Sequence, residues 1–350
     1  MSQAKTEVQF KQIAIVGAGA IGGWMGVHLA RAGAQVSVLA RGDTLDALQR
    51  QGLQLHQGGQ LHTQPVQASH DAAALGVQDL VVIAVKAPAL AAVAQQVGPL
   101  IGPHTVVLTA MNGVPWWFLQ GFGGPVAGRS LQCVDPDGGI ARALPAPHII
   151  GCVVHASCSV DAPGVIRHHF GDGLIVGEPS GAVTPRVQAL QALLQQAGFN
   201  ATLSPQIQKD IWYKLWGNMT VNPVSAITGA TTDLIMDDPL LRAFISSVML
   251  EAKAIGACIG IPIEQQPEDR HLITRKLGAF RTSMLQDVKS GKPVELDALV
   301  GAVRELGQLT GVPTPFTDAL LGISRLHARG LGLYPATNCG SSDPLIAFKN

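Results

Sequence analysis

Residues 12–41 read QIAIVGAGAIGGWMGVHLARAGAQVSVLAR, and they decide the fold. The β-branched run at 12–16 predicts a strand, residues 21–32 a helix, and QVSVLA at 35–40 a second strand. Between strand and helix, Gly17-Ala18-Gly19-Ala20-Ile21-Gly22 has the GxGxxG spacing of a dinucleotide-binding turn. Gly17 permits the tight turn, Gly19 lets backbone N–H groups approach a pyrophosphate, and Gly22 lets the helix close on the strand. The phosphates would meet the helix N-terminus, where the dipole favours an anion. In a chain of 40 glycines the spacing alone says little; its place between a strand and a helix carries the weight.

Working outward, DLVVIAV at 79–85 and TVVLTA at 105–110 predict further strands. Such continuous apolar runs suit a parallel sheet covered on both faces. A small hairpin is expected around Gly58-Gly59, and more β structure over 148–160, 164–170 and 173–177. From residue 184 the texture changes: a helix is predicted at 185–197, then helical period at 206–221, 238–259, 266–290, 293–310 and 315–329. The expected architecture is α/β, a Rossmann-type doubly wound sheet in residues 1–204 followed by an all-helical domain in 205–350. A length of 350 residues agrees, at ~150 per domain.

Composition excludes several functions. Lys plus Arg and Asp plus Glu both number 24, and a chain without net charge lacks the cation surplus of a nucleic-acid binder. With 47% hydrophobic and 14% charged residues it is too apolar to be disordered. The longest charge-free stretch, between Lys86 and Arg129, is broken by prolines and glycines and does not read as a membrane span. The first dozen residues are charged throughout and have no apolar signal core. Five cysteines without CxxC and eleven scattered histidines predict reduced thiols, no metal and a cytoplasmic location.

Several polar residues stand where chemistry would need them. The second strand ends at Arg41, a cation where NAD-binding chains usually carry an acid, which favours the 2′-phosphate of NADP. Asp43 lies two residues on, and an ordinary solvated arginine would fit the same place. Lys86 and Asn112 follow predicted parallel strands, at the ends where open α/β sheets bind ligands. In 206–221 and just beyond, Lys214, Asn218 and Asn222 recur at i, i+4 and i+8 and share one stripe if the helix persists. Packing among tryptophans would desolvate Lys214 and make it a better proton donor near neutrality. A lysine stem on the core with its head in water fits the spacing equally well. Ser283 could be an ordinary helix residue, and Glu295 a carboxylate stabilising a helix start after Pro293.

Taken together, GAGAIGG at 17–23, VVIAVKA at 81–87, MNGV at 111–114, IWYKLWGNMTVNPVSAIT at 211–228 and TSMLQDVKSGKPVELD at 282–297 resemble the ketopantoate reductase family over nearly the whole chain. The resemblance implies a Rossmann domain, a helical domain and a cleft between them where NADPH reduces a 2-oxo acid, 2-dehydropantoate, to pantoate. It implies that Lys214 is the proton donor and that Glu295 holds the substrate hydroxyl. Asn218, Asn222 and Ser283 would bind substrate, Asn112 would lie near nicotinamide and substrate, Lys86 on the cofactor side or at domain closure, and Arg41 on the 2′-phosphate. Pairing of two copies through the helical domain is a further expectation. A reductase of another small 2-oxo acid and a non-catalytic NADP-binding protein are the alternatives. Two departures bear on this. Thr228-Gly229-Ala230-Thr231-Thr232 lacks a substrate-contacting asparagine found in some members. The aromatic and glycine-rich stretch from Val114 to Pro147 is longer than in the simplest ones, and its aromatics could wall the pocket or fill the core.

Overall fold

The computed structural model describes residues 8–336. Ten strands come first: β1 Gln12–Val16, β2 Gln35–Leu39, β3 Leu53–Gln57, β4 Gln60–Gln64, β5 Gln67–Ser69, β6 Leu80–Ile83, β7 Val106–Thr109, β8 Ile149–Ala162, β9 Val165–Gly177 and β10 Asn200–Leu203. Helices α1 Ala20–Arg31, α2 Gly42–Gln51, α3 Leu90–Ala94, α4 Gly139–Ala143 and α5 Pro185–Gln196 lie between them. Every longer element after β10 is helical: α6 Ile207–Thr228, α7 Thr232–Asp237, α8 Pro239–Cys258, α9 Pro267–Arg275, α10 Ser283–Lys289, α11 Ala302–Thr310 and α12 Pro315–Gly330.

One sheet runs β4-β3-β9-β8-β7-β6-β1-β2-β5, with β10 also on β9. Its part β5-β2-β1-β6-β7-β8 is wholly parallel, with β1 central, the doubly wound order. Ile13 to Val16 and Leu80 to Ile83 are buried on both faces, as parallel strands under two helical layers must be. The β3–β4 hairpin turns at Gly58-Gly59 as expected. The two later β-rich stretches form one β8–β9 antiparallel arm, with register irregularities beginning after His155.

Boundaries moved where local geometry overrode periodicity. The strand expected to reach Val85 stops at Ile83, because the turn at Gly17 packs against the segment that follows. A Cβ on Gly17 would sit 2.7 Å from Val85 Cγ1 and 3.0 Å from the Ala84 oxygen. The helix expected over 266–290 is two, α9 and α10. Gly278 is left-handed (φ +62), and Thr282 begins a new helix by accepting from the Leu285 N–H. The helix expected to end at 221 continues through Pro223 to Thr228, so the stripe of Lys214, Asn218 and Asn222 persists. The helix expected from 293 starts later, with a π-helical turn over Asp297–Gly301.

The segment after Asn112 answers the question its aromatics raised. Trp116, Trp117, Phe118 and Leu119 are all buried. The Trp117 indole donates to Thr109 Oγ1 and the Trp116 indole to the Leu144 carbonyl. They fill the space between sheet and helices, in one core with Trp212 and Trp216 of α6. The same insert is tied to the helical half by Glu305, whose carboxylate accepts from the N–H groups of Gln132 and Cys133.

Candidate active site

The glycine turn shows why those residue types are needed. Gly17 has φ +96, and a Cβ on Gly22 would lie 2.1 Å from the Gly17 carbonyl oxygen. A Cβ on Gly19 would meet nothing within 4 Å. Gly19 is the N-cap of α1, no acidic residue stands in the first turn, and Ala18, Ala20 and Ile21 complete the loop. At the end of β2, Arg41 is exposed and is the N-cap of α2, with Asp43 in the first turn. Open space at the N-terminus of α1, and at the end of β2 an exposed arginine with no carboxylate partner among the described residues, suit a dinucleotide carrying a 2′-phosphate.

The second half of the site comes from α6. Its buried residues, Trp212, Leu215, Trp216 and Met219 among them, anchor the helix and leave Lys214 and Asn218 toward the sheet. Lys214 Nζ donates to Asn112 Oδ1 at 2.8 Å and to the Val154 carbonyl at 2.6 Å. Asn112 follows β7, and Val154 lies on β8 just before the irregular stretch. The lysine head is therefore turned into the crevice between sheet and helices. Burial pulls its pKa down to about 8; Cys152 and Glu295 hold it up against that, and Arg270 pushes it lower. Met111, Asn112, Gly113, Val153, Ile211, Lys214, Leu215 and Asn218 line a small, partly open cavity.

Lys86 and Glu295 meet at a second contact between the sheet and the helical half. Lys86 Nζ lies 2.8 Å from Asp287 Oδ2 and 3.3 Å from Glu295 Oε2, and Glu295 Oε1 accepts from the Ala87 N–H at 3.0 Å. Although burial opposes it, the two carboxylates raise the Lys86 pKa. This cluster joins the end of β6 to the helical half. Asn222 is buried on α6 and Ser283 opens α10, which packs on α6; neither borders the small cavity. Asn112, Lys214 and Asn218 thus converge, as do Lys86 and Glu295, whereas Asn222 and Ser283 lie beside them.

Asp287 and the Val154 carbonyl were not singled out from the sequence. Asp287 stands inside the quoted TSMLQDVKSGKPVELD stretch, but a backbone oxygen leaves no trace in side-chain chemistry. Among the described residues no helix is long and apolar enough to cross a membrane, and no cluster of His, Cys, Asp and Glu could hold a metal. Cys339 lies outside the described residues.

Known proteins resemble this chain over most of its length. Residues 13–116 match the family model described as ketopantoate reductase PanE/ApbA, and residues 206–328 match its C-terminal counterpart. A 2-dehydropantoate 2-reductase from Mesorhizobium japonicum is 45% identical over 92% of this chain and 99% of its own. A solved structure from Ralstonia solanacearum MolK2, described as a candidate ketopantoate reductase, shares 58% identity with a TM-score of 0.91. The match covers 93% of this chain and 100% of that one. A 2-dehydropantoate 2-reductase structure from Geobacter metallireducens is 26% identical with a TM-score of 0.79, covering 90% and 99%.

Proposed function

The chain belongs to the ketopantoate reductase family, and from that premise we propose that it reduces 2-dehydropantoate to pantoate with NADPH. The observation that carries this reading is the Lys214 ammonium, presented by the helical half at the carboxyl end of the parallel sheet, 2.8 Å from Asn112 Oδ1.

The residues present fit the cofactor. The glycine turn and the N-terminus of α1 would hold the pyrophosphate, and Arg41 the 2′-phosphate. The nicotinamide, when bound, supplies the hydride. The protein's part is charge and position. Negative charge develops on the C2 carbonyl oxygen, and Lys214 neutralises and protonates it. Such general acid help is typically worth ~10²–10⁴-fold. Asn112 holds the lysine head, which must leave the Val154 carbonyl or share it as the substrate oxygen arrives. Asn218, Asn222 and Ser283 orient the substrate, and Glu295 holds its hydroxyl and keeps Lys214 charged. Lys86, tied to Asp287 and Glu295, joins the two walls of the crevice. The space beside Lys214 is small and partly open, and closure of its walls about a bound 2-oxo acid would exclude water.

The division of labour supports two domains, 1–204 for the cofactor and 205–350 for substrate and catalysis. With the tryptophans of the insert in the core, they give no reason to favour a different substrate side chain. We also infer pairing of two copies through the helical domain, in the cytoplasm. Phe316, Ala319, Ile323 and Leu326 form an exposed apolar stripe along α12, with Leu326 73% exposed. Leu326→Glu should halve the particle mass seen by light scattering; an unchanged mass would move the interface elsewhere. The function itself is tested by NADPH oxidation against a panel of 2-oxo acids. 2-Dehydropantoate should give the highest kcat/KM, and another acid far above it would replace it.

A further inference from the structure

Arg270 is a half-buried cation with no carboxylate partner among the described residues. It stands on α9 and crosses α6 at Gly217, where a Cβ would lie 2.5 Å from its Nε and 2.8 Å from its Nη2. Glycine at 217 is therefore what lets the guanidinium lie against the helix. The group rests over the Tyr213 ring, 5.5 Å from its centroid. Its Nε is buried with no hydrogen-bond partner, and among the described residues no carboxylate pairs with it. Tyr213 and Gly217 flank Lys214 in the sequence, and Gly217 lies within one helical turn of it. The Arg270 charge reaches both Lys214 and His155 of β8, on the opposite wall. Arg270 does not line the small cavity itself, but its contacts with Tyr213 and Gly217 place it against the same stretch of α6 that carries Lys214, with its guanidinium free of any carboxylate among the described residues.

We propose that Arg270 takes the carboxylate of the substrate while Lys214 takes its carbonyl oxygen. This rests on the reading of the chain as a 2-oxo acid reductase. In a 2-oxo acid the carboxylate is bonded directly to the carbonyl carbon, so its anchor must stand a few ångströms from the proton donor. A guanidinium grips both carboxylate oxygens in a fixed plane, which also fixes the face of the carbonyl turned to the cofactor. The Tyr213 ring below keeps that plane in place. Arg270 is then the residue that makes the enzyme selective for acids over neutral ketones.

The test compares wild type with Arg270→Gln, using 2-dehydropantoate and its uncharged methyl ester as substrates. The acid-to-ester ratio of kcat/KM should fall about 10²-fold, the worth of a charge-assisted bidentate pair. The loss should lie mainly in KM for the acid, with NADPH affinity by fluorescence unchanged. Arg270→Lys should fall between the two and serves as the second variant if the glutamine form does not fold. Loss of acid and ester activity together, or an unchanged ratio, would overturn the proposal. Oxamate binding to the NADP-loaded enzyme, measured by calorimetry, separates this idea from the reading beneath it. If wild type binds oxamate, Arg270→Gln does not, and no 2-oxo acid is turned over, the anion site stands and the proposed reaction falls. Equal oxamate binding by both proteins, with 2-dehydropantoate reduced, removes Arg270 and leaves the reaction.

Discussion

Reduction should die away as the medium becomes alkaline, with a midpoint set by Lys214. Only the ammonium can protonate the nascent alkoxide, and burial brings its pKa down to about 8 from 10.5. One pH unit above that midpoint about a tenth of the enzyme remains protonated, so kcat/KM for the oxo acid should fall tenfold per unit beyond it. A lysine of ordinary pKa would give a flat profile up to about pH 10. The neighbours give the sign of further shifts. Glu295 holds the pKa up, so Glu295→Gln should move the midpoint lower, and Arg270→Gln should move it higher. The same shift acts on stability. Between pH 8 and 10.5 the unfolded chain binds the proton that the folded chain has released, so stability should rise with pH across that window. The assay is NADPH oxidation at saturating cofactor from pH 6 to 10, with the 2-oxo acid varied. A profile flat to pH 9.5, or a midpoint unmoved by either variant, would refute the reasoning. Lys214→Ala should lower kcat ~10²–10⁴-fold at pH 7 and erase the alkaline limb.

Other perturbations probe separate parts. Arg41→Ala should weaken NADPH far more than NADH in binding titrations, and equal losses would detach Arg41 from the 2′-phosphate. Gly22→Ala brings a methyl group to 2.1 Å from a carbonyl oxygen, so cofactor affinity should collapse or the protein should fail to fold; normal NADPH binding would contradict the turn geometry. Trp117→Ala should cost about 3–5 kcal/mol in denaturant titration while leaving the order of substrates in the panel unchanged, and a changed order would return the insert to the pocket wall.

Much of this protein could be read without coordinates, because much of it follows from local constraints. The strand–turn–helix order around Gly17 and Gly22 is dictated by sterics within a few residues, where only glycine admits a positive φ or a carbonyl at contact. The stripe of Lys214 and Asn218 follows from helical period alone. Other features had no local signature. Helical period runs on from 266 to 290, yet Gly278 and the Thr282 cap divide that stretch in two. Nor does sequence say whether Trp116 and Trp117 face a ligand or the core, since an apolar ring suits either place.

What tertiary structure alone decided is which surfaces meet. Lys214 finds its oxygen on Val154, sixty residues away in the chain. Lys86 finds Asp287 and Glu295 across more than two hundred, and Arg270, on a helix that packs on α7 and α8, reaches Gly217 of α6. Periodicity shows which face of an element is apolar. It carries no information on which turn of one helix will stand opposite which strand, and the charges of this site acquire their chemistry only from that opposition.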